Sequence, residues 1–126
     1  MLKRFVFVTG ALDIVIGIGA AAPALLDPQP ETFVPFLALG AFLVFAGAAL
    51  MWSAQDLAVR APIVFWQGLV RLVAVVSSVY AINAGLAGVE LYGVAVFDGV
   101  ICAVYFVGTC RLTGASPFRL LAGQTA

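Results

Sequence analysis

Histidine is missing from this chain, and charge is scarce: six Lys and Arg with six Asp and Glu make up only 10% of 126 residues. Without histidine, histidine-ligated haem, copper centres and histidine-containing zinc sites are excluded, and no catalytic triad can form. A formal net charge of zero offers neither a nucleic-acid footprint nor a polybasic lipid patch. There are two cysteines, Cys102 and Cys110. Eight residues along one helix would hold them ~12 Å apart, too far for a disulfide, so both read as packing residues. No Gly-rich phosphate loop, metal motif or redox Cys pair occurs, and no cofactor is expected.

What the chain has is apolar length. It is 64% hydrophobic with a mean hydropathy of +1.17, more than a soluble domain of this size could hide. Runs of about 20 apolar residues, enough to cross a hydrocarbon core of ~30 Å, recur near 5–26, 33–54, 62–83 and 89–110. The expected fold is all-α: one domain over residues 1–126, a transmembrane four-helix bundle. Lys3 and Arg4 before an apolar stretch, with "AAAPA" after it, imitate a signal peptide. That run is too long for a signal-peptide core and contains Asp13, so it reads as a retained first span. Pro28 and Pro30 in "LDPQPET" make a stiff first turn, Pro62 is expected in the first turn of span three, and "NAGLAGVE" makes the last turn between spans.

Outside the spans, Lys3, Arg4, Arg60, Arg111 and Arg119 all fall on one side, and Asp27, Glu31 and Glu90 on the other. The positive-inside rule then makes both termini cytoplasmic. Trp52 and Trp66 mark the inner boundary and Tyr80 and Tyr92 the outer one, as aromatic belts do. In the tail, Phe118, Leu120 and Leu121 are placed on the membrane surface. Gly10, Gly17, Gly19, Gly40, Gly47, Gly93, Gly99 and Gly108 let backbones approach, and those on spans one and four make a homo-oligomer plausible. No internal repeat supports an inverted-repeat transporter.

Three charges lie inside the spans. Counted from Arg4, Arg60 and Arg111, Asp13, Arg71 and Asp98 lie ~13, ~16 and ~20 Å inward at 1.5 Å per residue, one stratum near mid-depth. A charge facing lipid there costs on the order of 3 kcal/mol, so each should face inward and find a partner. Helical spacing adds Thr9 to the Asp13 face, Gln67 and Ser78 to the Arg71 face, and Cys102 and Tyr105 to the Asp98 face. Span two has no such stripe and reads as packing or lipid-facing. Arg71, with five donors in a planar fork, can serve two carboxylates. Two ionised acids would leave one negative charge in excess, so one aspartate is expected to carry a proton or border a wet cavity. A satisfied network that only fixes helix register is the bland alternative, and Gln67, Ser78 and Tyr105 fit it as hydrogen-bond satisfiers.

The runs "GALDIVIGIGAAAPALL", "GAFLVFAGAALMWSAQDLAVR", "VRLVAVV" and "VAVFDGVICAVYFVG" resemble a group of small, largely uncharacterised bacterial four-helix membrane proteins, loosely DoxX-like. The resemblance rests on Gly10 with Asp13, Asp56 with Arg60, Arg71 and Asp98. It implies a multi-pass protein of the bacterial inner membrane and association with quinone-linked complexes, with this chain at most an accessory subunit. The expected function is non-catalytic: binding a lipid, quinone or isoprenoid, or docking on a larger membrane complex. A proton-coupled small-molecule transporter using Asp13 or Asp98 is the alternative, since small multidrug-resistance exporters are similar in size and carry an acid in span one. Arg71 would compete with cationic drugs for Asp13. An enzyme built on Asp56, Arg60 and Glu90 ranks third.

Overall fold

A computed structural model describes residues 1–125. Four helices are long and apolar enough to cross a membrane: α1 (Leu2–Leu26), α2 (Phe33–Ser53), α3 (Leu57–Asn83) and α4 (Leu91–Thr113). A short α5 (Pro117–Leu121) follows, and the described residues contain no strand. The all-α expectation holds, and the four long helices lie over the four apolar runs. Chain contacts divide the protein into two compact units, Met1–Leu57 and the residues from Ala58 onward.

The first unit is a helical hairpin. Helix α1 runs through Pro23 and closes when the Asp27 amide donates to the Pro23 carbonyl at 2.9 Å. Pro28 and Pro30 prevent its continuation. Gln29 Nε2 donates to Asp27 Oδ1 at 3.1 Å, and the Gln29 carbonyl accepts from the amides of Thr32 and Phe33, where α2 begins. The returning helix lies on α1 along a seam of glycines. A Cβ added to Gly10 would stand 2.7 Å from the Gly47 carbonyl oxygen, and one added to Gly17 would stand 2.7 Å from that of Gly40. The two glycines on each helix are seven residues apart, so both crossings fall on one face of an antiparallel pair. Backbone meets backbone here, as small residues permit in membrane helices. Cα–H groups facing carbonyls at this range add a second-order attraction.

Span two therefore does supply packing, as expected from its lack of polar residues. It ends on a polar residue outside the predicted stripes. Ser53 is fully buried, and its hydroxyl donates to the Ala49 carbonyl at 2.7 Å.

Helix α3, which forms part of the second unit from Ala58 onward, starts at Leu57, five residues before the predicted start at Pro62. Pro62 therefore sits inside the helix rather than in its first turn. Its missing N–H leaves the Ala58 carbonyl without the usual donor, but Ala58 is exposed and near the helix end, where water can serve that oxygen. Leu57 is 8% exposed, and its burial rewards the extra turn.

At the other end, the Leu86 amide donates to the Ala81 carbonyl at 2.8 Å and that of Gly85 to Ile82 at 3.1 Å, with Gly85 at φ 70°. This is the Schellman pattern, which needs a left-handed residue after the helix. The "NAGLAGVE" turn thus falls where it was read. Helix α4 runs three residues past its predicted end, to Thr113. Arg111 lies in its last turn, where a cation suits the carbonyl end of the helix dipole.

The tail corrects one expectation. Ser116 caps α5, accepting from the Arg119 amide at 3.4 Å, and Pro117 takes the first helical position. Leu120 does not lie on a membrane surface: it is fully buried in a cluster with Ala61, Phe65 and Ala115. Trp66 Nε1 donates to the Leu121 carbonyl at 3.1 Å, tying α5 to α3. Phe118 and Leu121 are exposed. One five-residue helix cannot point three apolar side chains the same way, so Leu120 goes inward and Phe118 outward.

Candidate functional site

The best-defined polar contact lies between α3 and α4. Arg71 Nη1 donates to Asp98 Oδ1 at 2.6 Å, with the two side chains 13% and 8% exposed. The distance is that of a strong charge-assisted hydrogen bond. Both residues sit well inside apolar helices, as their spacing from Arg60 and Arg111 requires, and the structure pairs them as the cost of a lipid-facing charge demands.

The helices meet close to this pair. A Cβ on Gly68, one turn before Arg71, would touch the Phe106 ring at 2.7 Å and Tyr105 Cβ at 3.4 Å. The Phe65 and Phe106 rings stack with centroids 4.7 Å apart and a tilt of 37°, a geometry that aromatic pairs favour. Gly68, Phe65 and Phe106 were not singled out from the sequence. The available signal was Gly68 three residues before a charged residue, which marks the same helix face.

On α4, Asp98, Cys102, Tyr105 and Thr109 are all buried, a stripe at i, i+4, i+7 and i+11. The predicted face extends one step further than Tyr105. The Thr109 hydroxyl donates to the Tyr105 carbonyl at 2.6 Å and Thr113 to the Thr109 carbonyl at 2.8 Å, so both threonine hydroxyls are consumed by the helix itself. Such back-bonding is how hydroxyl residues enter a membrane helix without exposing a polar group to lipid. Tyr105 is fully buried. Ser78, two turns from Arg71, is 8% exposed, and Gln67 is half-buried on the flank of the same helix.

In the first unit, Asp13 is 2% exposed and Thr9 6%. Both occupy the buried side of α1 with Gly10 and Gly17. Thr9 Oγ1 donates to the Phe5 carbonyl at 2.9 Å and the Val6 carbonyl at 3.1 Å, so it too is engaged in its own helix. Burial of Asp13 agrees with the expectation that an intramembrane acid turns away from lipid.

Chemically the second unit offers a neutralised ion pair flanked by a tyrosine, a thiol and hydroxyls. Cys102 is buried and Cys110 partly so, and both are free thiols. Among the described residues no group of three Cys, Asp or Glu side chains is placed to hold a metal ion. Trp52, Trp66, Tyr80 and Tyr92 are all exposed. The chain matches no family model, no curated protein and no solved structure.

Proposed function

We propose that this is a small non-catalytic protein of a bacterial inner membrane that binds a lipid-, quinone- or isoprenoid-like molecule, or serves as accessory subunit of a larger membrane complex. The observation that carries the reading is the Arg71–Asp98 pair, 2.6 Å long and largely shielded between apolar helices. A charge-neutral pair has strong local dipoles and no net charge. It can orient a carbonyl or hydroxyl at the end of an apolar molecule without the cost of an isolated ion.

In this reading Asp13 is the intramembrane acid of the first unit, supported by its depth in the sequence and by its burial. Gln67, Ser78 and Tyr105 complete the polar end, and both termini face the cytoplasm by the bias of Lys3, Arg4, Arg60, Arg111 and Arg119. The transporter alternative requires Asp13 or Asp98 to exchange protons, and the pairing of Asp98 with Arg71 disfavours Asp98 as that group.

The deciding experiment compares wild type with the double variant Arg71→Met/Asp98→Leu. Replacing a buried pair by apolar residues of similar volume is often neutral for folding, and circular dichroism checks that the double variant keeps its helices. Extracts of the purified proteins are then compared by mass spectrometry for retained apolar molecules. A species held by wild type and lost from the folded double variant supports a binding site. Identical extracts refute it, and leave accessory docking to be tested by crosslinking in native membranes.

A further inference from the structure

Between the start of α1 and the end of α2 lies a groove of about 560 Å³, lined by Lys3, Arg4, Phe7, Val8, Met51 and Gln55 among others. The volume falls within the roughly 300–1,000 Å³ of small-molecule sites. Its lining is graded along the helix axis. Lys3 and Arg4 occupy the first turn of α1, and Gln55 follows the last residue of α2. Phe7, Val8 and Met51 lie about one turn deeper into the apolar span. A groove with cations at the membrane boundary and hydrocarbon beneath complements a molecule with an anionic head and an acyl tail.

The charge there is uncompensated for a second, independent reason. A helix start carries partial positive charge and four amides without helical partners, so acidic residues are favoured in the first turn and basic ones are not. Helix α1 reverses the rule: it has Lys3 and Arg4, no acid in its first turn and no side-chain cap. Neither cation forms an ion pair with a described residue. The nearest acid in sequence at the α2 end, Asp56, is not among the groove's lining residues. Two other grooves of this hairpin lack the feature. The one along Gly17 and Phe45 is lined without a charged residue, and the one at the far end holds Asp27.

We propose that this groove binds one anionic phospholipid, its phosphate against Lys3, Arg4 and the first amides of α1, its acyl chain along Phe7, Val8 and Met51. Two cations are fewer than a polybasic patch, and the apolar groove supplies what they lack. The site lies wholly within the first unit and is independent of the Arg71–Asp98 pair.

Trp52 adjoins Met51 and is half exposed, so it can report occupancy. In the full chain carrying Trp66→Phe, in neutral detergent micelles, Trp52 fluorescence is titrated with brominated phosphatidylglycerol or brominated phosphatidylcholine. Electrostatic attraction gives roughly fivefold per basic residue near a surface, so phosphatidylglycerol should quench at least about tenfold more effectively at low salt, and less so as salt rises. Lys3→Gln/Arg4→Gln should bring the two lipids level. Val8→Phe, which keeps both charges but fills the groove, should weaken quenching by phosphatidylglycerol several-fold, with helix content checked by circular dichroism. Equal quenching by both lipids in the parent protein overturns the proposal. So does an unaffected Val8→Phe, which would mean diffuse attraction without a seat. Displacement by millimolar glycerol phosphate would also overturn it, by assigning the cations to a free anion.

Discussion

The glycine seam of the first unit can be tested with one methyl group at a time. In Gly10→Ala the new Cβ would stand 2.7 Å from the Gly47 carbonyl oxygen and 2.9 Å from Leu50 Cβ, where ordinary contact begins at 3.4 Å. The shortfall against the carbonyl is about 0.7 Å, and the nearest atom is backbone, which cannot rotate aside. The two helices must therefore part locally by about that distance. A radial gap of 0.5–1 Å forfeits roughly a quarter to a half of each dispersion contact of ~0.1–0.2 kcal/mol. With some tens of atom pairs along the seam, the loss comes to about 1–3 kcal/mol, the usual range for overpacking. Gly47→Ala meets the Gly10 carbonyl in the same way and should cost as much. The internal control is Gly19→Ala in the same helix, where an added Cβ meets nothing within 4 Å. It should be neutral, or stabilising by up to ~1 kcal/mol through helix propensity. Unfolding of the purified chain by SDS in mixed micelles, followed by circular dichroism, measures all three. If Gly10→Ala and Gly19→Ala shift the midpoint alike, the close approach of α1 and α2 is not what holds the hairpin.

Other consequences are equally direct. Asp98→Leu leaves Arg71 without its 2.6 Å partner and should cost about 3–5 kcal/mol, while Arg71→Met/Asp98→Leu should recover part of it; a double variant as unstable as the single one would contradict a paired, shielded bridge. Leu120→Ala empties a fully buried position in the α5 cluster. Because α5 is terminal and short, the expected result is faster proteolysis and amide exchange after Gly114, with α1 and α2 unchanged; uniform destabilisation would show that α5 is integral to the helices. Gly85→Ala forces a Cβ into the left-handed conformation at φ 70° and should cost about 1–2 kcal/mol, read in the same SDS titration; an unchanged midpoint would mean the turn relaxes to another form.

Much of the fold is written along the chain because crossing a bilayer is a local requirement. Length and hydropathy set the four spans, Pro28 and Pro30 close the first turn, and the depth of Asp13, Arg71 and Asp98 follows from counting residues. The boundaries drifted where packing intervened: α3 gained a turn because Leu57 is buried, and α4 ran on to Thr113. The inward direction of the acids was legible too, since lipid offers a charge no alternative.

Partner choice was not legible, and the reason is physical. Membrane helices are apolar on every side, so no hydrophobic stripe marks the packed face. Eight glycines looked alike in sequence. Only the tertiary structure divides Gly10, Gly17, Gly40 and Gly47, pressed against a neighbouring backbone, from Gly19 and Gly93, which meet nothing within 4 Å. Rotation and register between helices made that division, and they also chose Asp98 as a partner of Arg71, buried Leu120 against Phe65, and left a groove beneath Lys3 and Arg4. The sequence by itself determined how many times the chain can cross and how deep its charges lie. The tertiary structure decided which surfaces close on each other, because that depends on the fit of two helices at once and not on any property of one.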